Sequence, residues 1–136
     1  MPSNEMPSGL PTPPPLGAAA LPAGTYDGSV VFVTGGGPGL GAAIAAEFAR
    51  LGADLVIASR NPDHLAAAED ALGRLGGRVL TLRCDIRDAD AVSAAFEAAT
   101  DAFGLPDVLV NNAAANFPSP AEDLSPNAWR TVVDIT

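Results

Sequence analysis

Five of the eight residues in Thr34–Gly41, TGGGPGLG, are glycines, and they directly follow the apolar run Val30–Val33. The chain then opens into AAIAAEFARLGA, which has helical character. A tight turn between a strand and a helix can hold phosphate, because the helix presents free N–H groups and the positive end of its dipole there. Glycine suits such a turn because a Cβ would hold a pyrophosphate away and because the turn needs positive φ. Gly37-Pro-Gly39-Leu-Gly-Ala42 matches the dinucleotide pattern G-x-G-x-x-A. A nucleoside-triphosphate loop would need a lysine after its last glycine, and this chain has no lysine. The same residues also admit a plain glycine-rich turn that holds no ligand.

A second chemical signal lies at the end of the next apolar run, DLVIAS (Asp54–Ser59). A fold that binds NAD carries an acidic residue there for the ribose hydroxyls. Here Ser59 and Arg60 occupy the place, and Asp54 lies too early. An arginine fork at that point would meet a 2′-phosphate, which points to NADP(H). The alternative is a solvated surface arginine. One histidine, His64, and one cysteine, Cys84, cannot build a zinc site of the usual kind, so no metal is expected.

These residues need a framework, and the hydrophobic pattern supplies one. The 136 residues suffice for about one domain. Strands are predicted at Val30–Thr34, Asp54–Ser59, Arg78–Arg83 and Asp107–Asn112. Helices are predicted between them, with inner faces Leu40/Ile44/Phe48/Leu51, Leu65/Ala68/Leu72/Leu75 and Val92/Ala95/Phe96/Ala99/Phe103. Asn61 and Asp88 read as N-caps, and Ser125–Pro126 opens a last helix with Ala128, Trp129, Val132 and Val133. Short, continuously apolar strands alternating with helices predict an α/β fold with a parallel sheet covered on both faces. The expected strand order is 3-2-1-4, the N-terminal part of a doubly wound Rossmann fold, ending before a fifth strand. Residues 1–24, rich in Pro, Gly, Ala and Ser, read as a disordered arm, and 25–136 as a partial nucleotide-binding domain.

Composition narrows the partners. The net charge of −9 argues against nucleic acid. No stretch reaches the roughly 18–20 apolar residues of a membrane helix. A single cysteine excludes an internal disulfide framework and fits a reducing, cytoplasmic setting.

Thr34-Gly35-x-x-x-Gly39-x-Gly41, CDIRD (Cys84–Asp88) and NNAA (Asn111–Ala114) together resemble the motifs of the short-chain dehydrogenase/reductase family. The segments VIASR, NNAAANF and LSPNAWRTVVDI are similar to its 2,4-dienoyl-CoA reductase branch, whose members use NADPH to reduce dienoyl-CoA thioesters during β-oxidation of unsaturated fatty acids. The resemblance implies that Thr34, Gly35, Gly37, Gly39, Leu40 and Gly41 form the cofactor turn and that Ser59 and Arg60 take the 2′-phosphate. It further implies that Asp85 bonds the adenine amino group, that Ile86 lies on the ring, and that Asn111 and Ala113 line the cofactor ribose. Asn116 would be the catalytic residue here, holding the thioester oxygen, with Phe117 beside the acyl chain. The partners implied are an acyl-CoA thioester and, for the full-length form, further copies of itself.

There are departures from the pattern. Ala115 stands where the branch usually has glycine, which would cost about 1 kcal/mol if that position needed positive φ. The family's Tyr-x-x-x-Lys pair is missing, and the one tyrosine, Tyr26, precedes the first strand. Three readings follow: the N-terminal fragment of a dienoyl-CoA reductase, a non-catalytic dinucleotide-binding module, or another short-chain reductase acting on 3-oxoacyl or enoyl thioesters. On the first reading the isolated chain is inactive.

Overall fold

The computed structural model describes Pro15 and residues 18–135. Most of the expected arm at 1–24 therefore lies outside the described residues. From Pro22 to Ser29 the backbone runs through successive turns, in which Thr25, Asp27 and Ser29 each donate an N–H to a carbonyl three residues back.

Four strands follow: β1 (Val30–Thr34), β2 (Asp54–Ser59), β3 (Val79–Arg83) and β4 (Val108–Val110). They form one parallel sheet in the order β3-β2-β1-β4, as the alternation predicts. Helices α1 (Leu40–Arg50), α2 (Pro62–Gly73), α3 (Ala89–Phe103) and α4 (Pro126–Val133) connect or follow them, with a short 3-10 turn at Ala121–Asp123. β1 is buried along its whole length and β2 over its four central residues. These strands are β-branched and apolar because helices cover both faces. Val31, Val33, Leu55 and Ile57 pack towards α1 and α2 on one side. Val30, Phe32, Val56 and Ala58 pack towards α3 on the other, where Phe32 stacks on Phe96 at 4.5 Å.

Local chemistry sets the helix starts. Asn61 accepts from the Asp63 N–H, Asp88 from those of Asp90 and Ala91, and Ser125 from that of Ala128. Proline occupies the first turn of α2 and α4, where no N–H is needed.

Three expectations need correction. The buried residues of α1 are Gly41, Ala45 and Ala49; of the expected set, Leu51 is buried at the C-cap, Ile44 and Phe48 are half-buried, and Leu40 is 70% exposed. Small residues let this helix lie close against the sheet, while Ile44 and Phe48 flank the contact. β3 starts one residue late, because the Arg78 N–H turns to the Asp54 carboxylate. β4 is shorter than expected at both ends. The Asp107 carboxylate accepts the Val30 N–H at the start, and past Val110 the backbone bends towards Thr34.

One ion pair fastens β2 to β3. Asp54 accepts from the Arg78 backbone and from its Nε at 3.0 Å, and the Arg78 guanidinium lies over the Phe103 ring. The side-chain bonds from Arg78 hold the Asp54 carboxyl below its ordinary range. A depressed carboxylate stabilises the fold above its unfolded pKa, near 4, and loses that contribution as pH falls through the folded value. Asp54→Asn should thus cost about 1 kcal/mol at pH 7, and the gap to wild type should narrow towards pH 3. Urea unfolding at both pH values checks this; an equal gap at both would remove Asp54 from the account.

Candidate nucleotide site

The glycine turn sits at the C-terminal end of β1, where the strand order reverses. Gly35 has φ +66° and Gly39 φ +75°, conformations that side-chain-bearing residues rarely adopt. Gly39 is the N-cap of α1 and offers no side-chain cap, unlike the caps of α2, α3 and α4. No acidic residue lies in the first turn of α1, and a Cβ on Gly39 would meet nothing within 4 Å. The N–H groups at this helix end are thus left for an anion.

Other glycines answer to packing. A Cβ on Gly41 would lie 2.3 Å from the Gly35 carbonyl oxygen, and one on Gly37 would lie 2.7 Å from the His64 Cβ. The turn is also tied to β4. Asn112 Nδ2 donates to the carbonyls of Thr34 and Gly35, both at 3.0 Å. The backbone N–H groups of Asn112 and Ala113 donate to Thr34 Oγ1, and the hydroxyl donates to the Val110 carbonyl. Thr34 is accordingly a buried brace between two strand ends.

Beside the turn lies an open cavity of about 730 Å³. It brings together Gly35, Ser59, Arg60, Asp85, Ile86 and Ala113 of the residues singled out in the sequence. Asn61, His64, Arg83, Arg87 and Asn112 also line it. Thr34 and Asn111 border a smaller cavity, about 260 Å³, on the α3 side of the sheet, together with Ile86. Gly37 lines an alanine-walled groove between α1 and α2. Gly39, Leu40 and Gly41 stand at the start of α1. Asn116 and Phe117 lie exposed in the loop after β4 and line none of these three cavities. No described non-glycine residue has positive φ, so Ala115 sits without backbone strain.

Asp85 is gripped by Arg87, whose Nε is 3.0 Å from Oδ1, while Arg60 Nη1 stands 3.9 Å from Oδ2. The Arg87 side-chain bonds chiefly hold the Asp85 carboxyl down at about 2, so it is ionised in the neutral range. Cys84, next to it, is a buried free thiol. Burial first, and then the Asp85 and Asp88 charges, push its pKa up and keep it a thiol. Among the described residues, no group of three or more His, Cys, Asp or Glu side chains could hold a metal ion. Likewise, no described helix is long and apolar enough to cross a membrane.

Asn112 is the residue that pattern reading passed over. It belongs to the NNAA motif, and only the folded path of the loop separates its position from that of Asn111. Arg83 and His64 had no motif to mark them.

The family model described as short chain dehydrogenase matches residues 29–136. The peroxisomal 2,4-dienoyl-CoA reductase of Pongo abelii, described as (3E)-enoyl-CoA-producing, is 49% identical over 107 residues, covering 78% of this chain and 37% of that protein. A short chain dehydrogenase from Mycobacterium smegmatis superposes with a TM-score of 0.79 at 35% identity, over 83% of this chain and 48% of that one. A metagenomic short-chain oxidoreductase solved in complex with NADP gives 0.74 at 35% identity, over 80% and 50%. The chain spans 36–41% of the length of the curated relatives it matches.

Two glycine substitutions separate packing from intrinsic propensity. Gly41→Ala should destabilise by about 1–3 kcal/mol, because backbone at Gly35 must move. Gly73→Ala, at the end of α2 and facing open space, should stabilise by about 0.5–1 kcal/mol. Denaturant midpoints of the two variants check this; a harmless Gly41→Ala would contradict the close approach.

Proposed function

Because the chain belongs to the short-chain dehydrogenase family, we propose that it supplies the NADP(H)-holding part of an oxidoreductase that reduces 2,4-dienoyl-CoA thioesters in the β-oxidation of unsaturated fatty acids. The observation that carries the cofactor half is the end of β2. Ser59 and Arg60 border the cavity there, where a fold selective for NAD carries a carboxylate. The uncapped start of α1 suits the pyrophosphate. The identity to a dienoyl-CoA reductase and the likeness to a structure holding NADP support the same reading.

In this reading the turn Thr34–Gly41 seats the pyrophosphate, Ser59 and Arg60 take the 2′-phosphate, Asp85 accepts from the adenine amino group, and Ile86 lies on its ring. Asn111 and Ala113 hold the cofactor ribose. When bound, the reduced nicotinamide supplies a hydride. The Asn116 amide donates to the thioester oxygen as negative charge grows on it, and Phe117 packs beside the acyl chain. The reduced product also needs a proton, and residues 1–136 offer no tyrosine–lysine pair to give it. There is no lysine, and Tyr26 packs edge-on against Phe48, its N–H bonded to the Leu51 carbonyl beyond the end of α1.

A second reading is a dinucleotide-binding module without chemistry of its own. The first reading includes assembly with further copies in the full-length form. It also includes a cytoplasmic setting, consistent with the free Cys84 thiol.

The full-length protein should oxidise NADPH in the presence of a 2,4-dienoyl-CoA, followed by loss of nicotinamide absorbance, and residues 1–136 alone should not. Turnover by the 136-residue chain itself would overturn the assignment of the proton donor. Arg60→Ala should remove most of the preference for NADPH over NADH, a loss on the order of 1.5–3 kcal/mol in NADPH binding. Equal affinities of wild type for the two cofactors would remove Arg60 from its role.

A further inference from the structure

Arg83 is the last residue of β3, and its Cα pairs with that of Ser59 across the parallel ladder. Two residues earlier, Thr81 donates its hydroxyl to Glu69 of α2. Side chains alternate along a strand, so Arg83 leaves the sheet on this same α2 side. The next residue, Cys84, is buried on the α3 side with Ala58 and Phe96. Arg83 is exposed and lines the large cavity together with Ser59, Arg60 and His64.

Its charge is unmatched. Arg50, Arg60, Arg74, Arg78 and Arg87 each have a carboxylate oxygen within 4.0 Å. Among the described residues, Arg83 has none. Arg60 is only loosely paired, because Asp85 gives its short contacts to Arg87. Two guanidinium groups with little neutralisation therefore share one cavity, carried on the ends of neighbouring strands. Ser59 stands with them. Its Oγ accepts from the Asn61 N–H at 3.3 Å, which leaves the hydroxyl proton free to donate. A doubly charged phosphate monoester would satisfy all three groups, with planar forks suited to its oxygens.

We propose that Arg83 is a second cationic contact for the 2′-phosphate of the dinucleotide, acting across the end of the sheet from Arg60, with the Ser59 hydroxyl between them. The assignment rests on the NADP(H) reading above. It makes Arg83 a specificity residue that discriminates between phosphorylated and unphosphorylated cofactor.

The test is calorimetric titration of the full-length protein with NADP⁺, NAD⁺, 2′,5′-ADP and 5′-AMP, for wild type, Arg83→Gln, Arg83→Lys and Arg60→Ala. Arg83→Gln should weaken NADP⁺ and 2′,5′-ADP about 10-fold or more and leave NAD⁺ and 5′-AMP within about twofold. Arg83→Lys, which keeps the charge and loses the fork, should fall between. The dependence of NADP⁺ affinity on salt should also be shallower in Arg83→Gln than in wild type. An equal loss for all four ligands would make Arg83 an adenine or structural contact and overturn the proposal. If wild type prefers NADP⁺, Arg60→Ala abolishes the preference and Arg83→Gln leaves it intact, the Arg83 assignment falls alone. A wild type without preference for NADP⁺ sinks the underlying cofactor reading and this assignment together.

Discussion

The Gly35 carbonyl oxygen is the point on which the rest of the site depends. Gly41 lies so close that an added Cβ would sit 2.3 Å from it, and Asn112 donates to it from the neighbouring strand end. The Gly35 N–H is itself bound to the Ala58 carbonyl on β2. Three elements thus converge on one residue. That convergence fixes the start of α1, whose first N–H groups no side-chain cap meets. A helix pushed outwards by even one methyl group would lose the close seat of Gly41, Ala45 and Ala49 on the sheet. Tight packing transmits such a shift instead of absorbing it.

The electrostatics of the cavity run against those of the whole chain. A net charge of −9 would repel a phosphorylated ligand if charge acted as an average. Screening confines each charge to roughly 8–10 Å at physiological salt, so the local arrangement decides. Asp85 is the nearby carboxylate, and Arg87 occupies it with short bonds. Arg60 and Arg83 consequently stand at the cavity with little neutralisation. The same clamp keeps Asp85 ionised at the wall of the cavity.

The two faces of the sheet are stabilised differently. On the α1 and α2 side, small helix residues allow close approach, and the aliphatic strand residues fill the space. On the α3 side, aromatic surface does more of the filling, with Phe32 stacked on Phe96. At the opposite end of the sheet from the cavity, the Asp54–Arg78 pair and the Arg78–Phe103 contact join β2, β3 and α3. The ion pair and the cavity thus lie at opposite ends of the same strands.

The sequence alone settled what depends on period and on local chemistry. Alternating apolar runs and helical stripes fixed four strands, their order and the helices between them. Asn61, Asp88 and Ser125 marked helix starts because capping needs only near neighbours in the chain. The glycine turn and Ser59–Arg60 were legible because a strand end next to a helix start is a local event. Tertiary structure decided the rest. Helical spacing could not tell Leu40 from Gly41 as the inward residue, since that turns on how near the helix can come to the sheet. Strand pattern could not shorten β4, because the hydroxyl of Thr34, 78 residues before Asn112, captures its last N–H groups. The cationic end of the cavity joins Arg60 and Arg83 from different strands. Only the register of β2 against β3 brings them together, and no spacing along the chain encodes that distance.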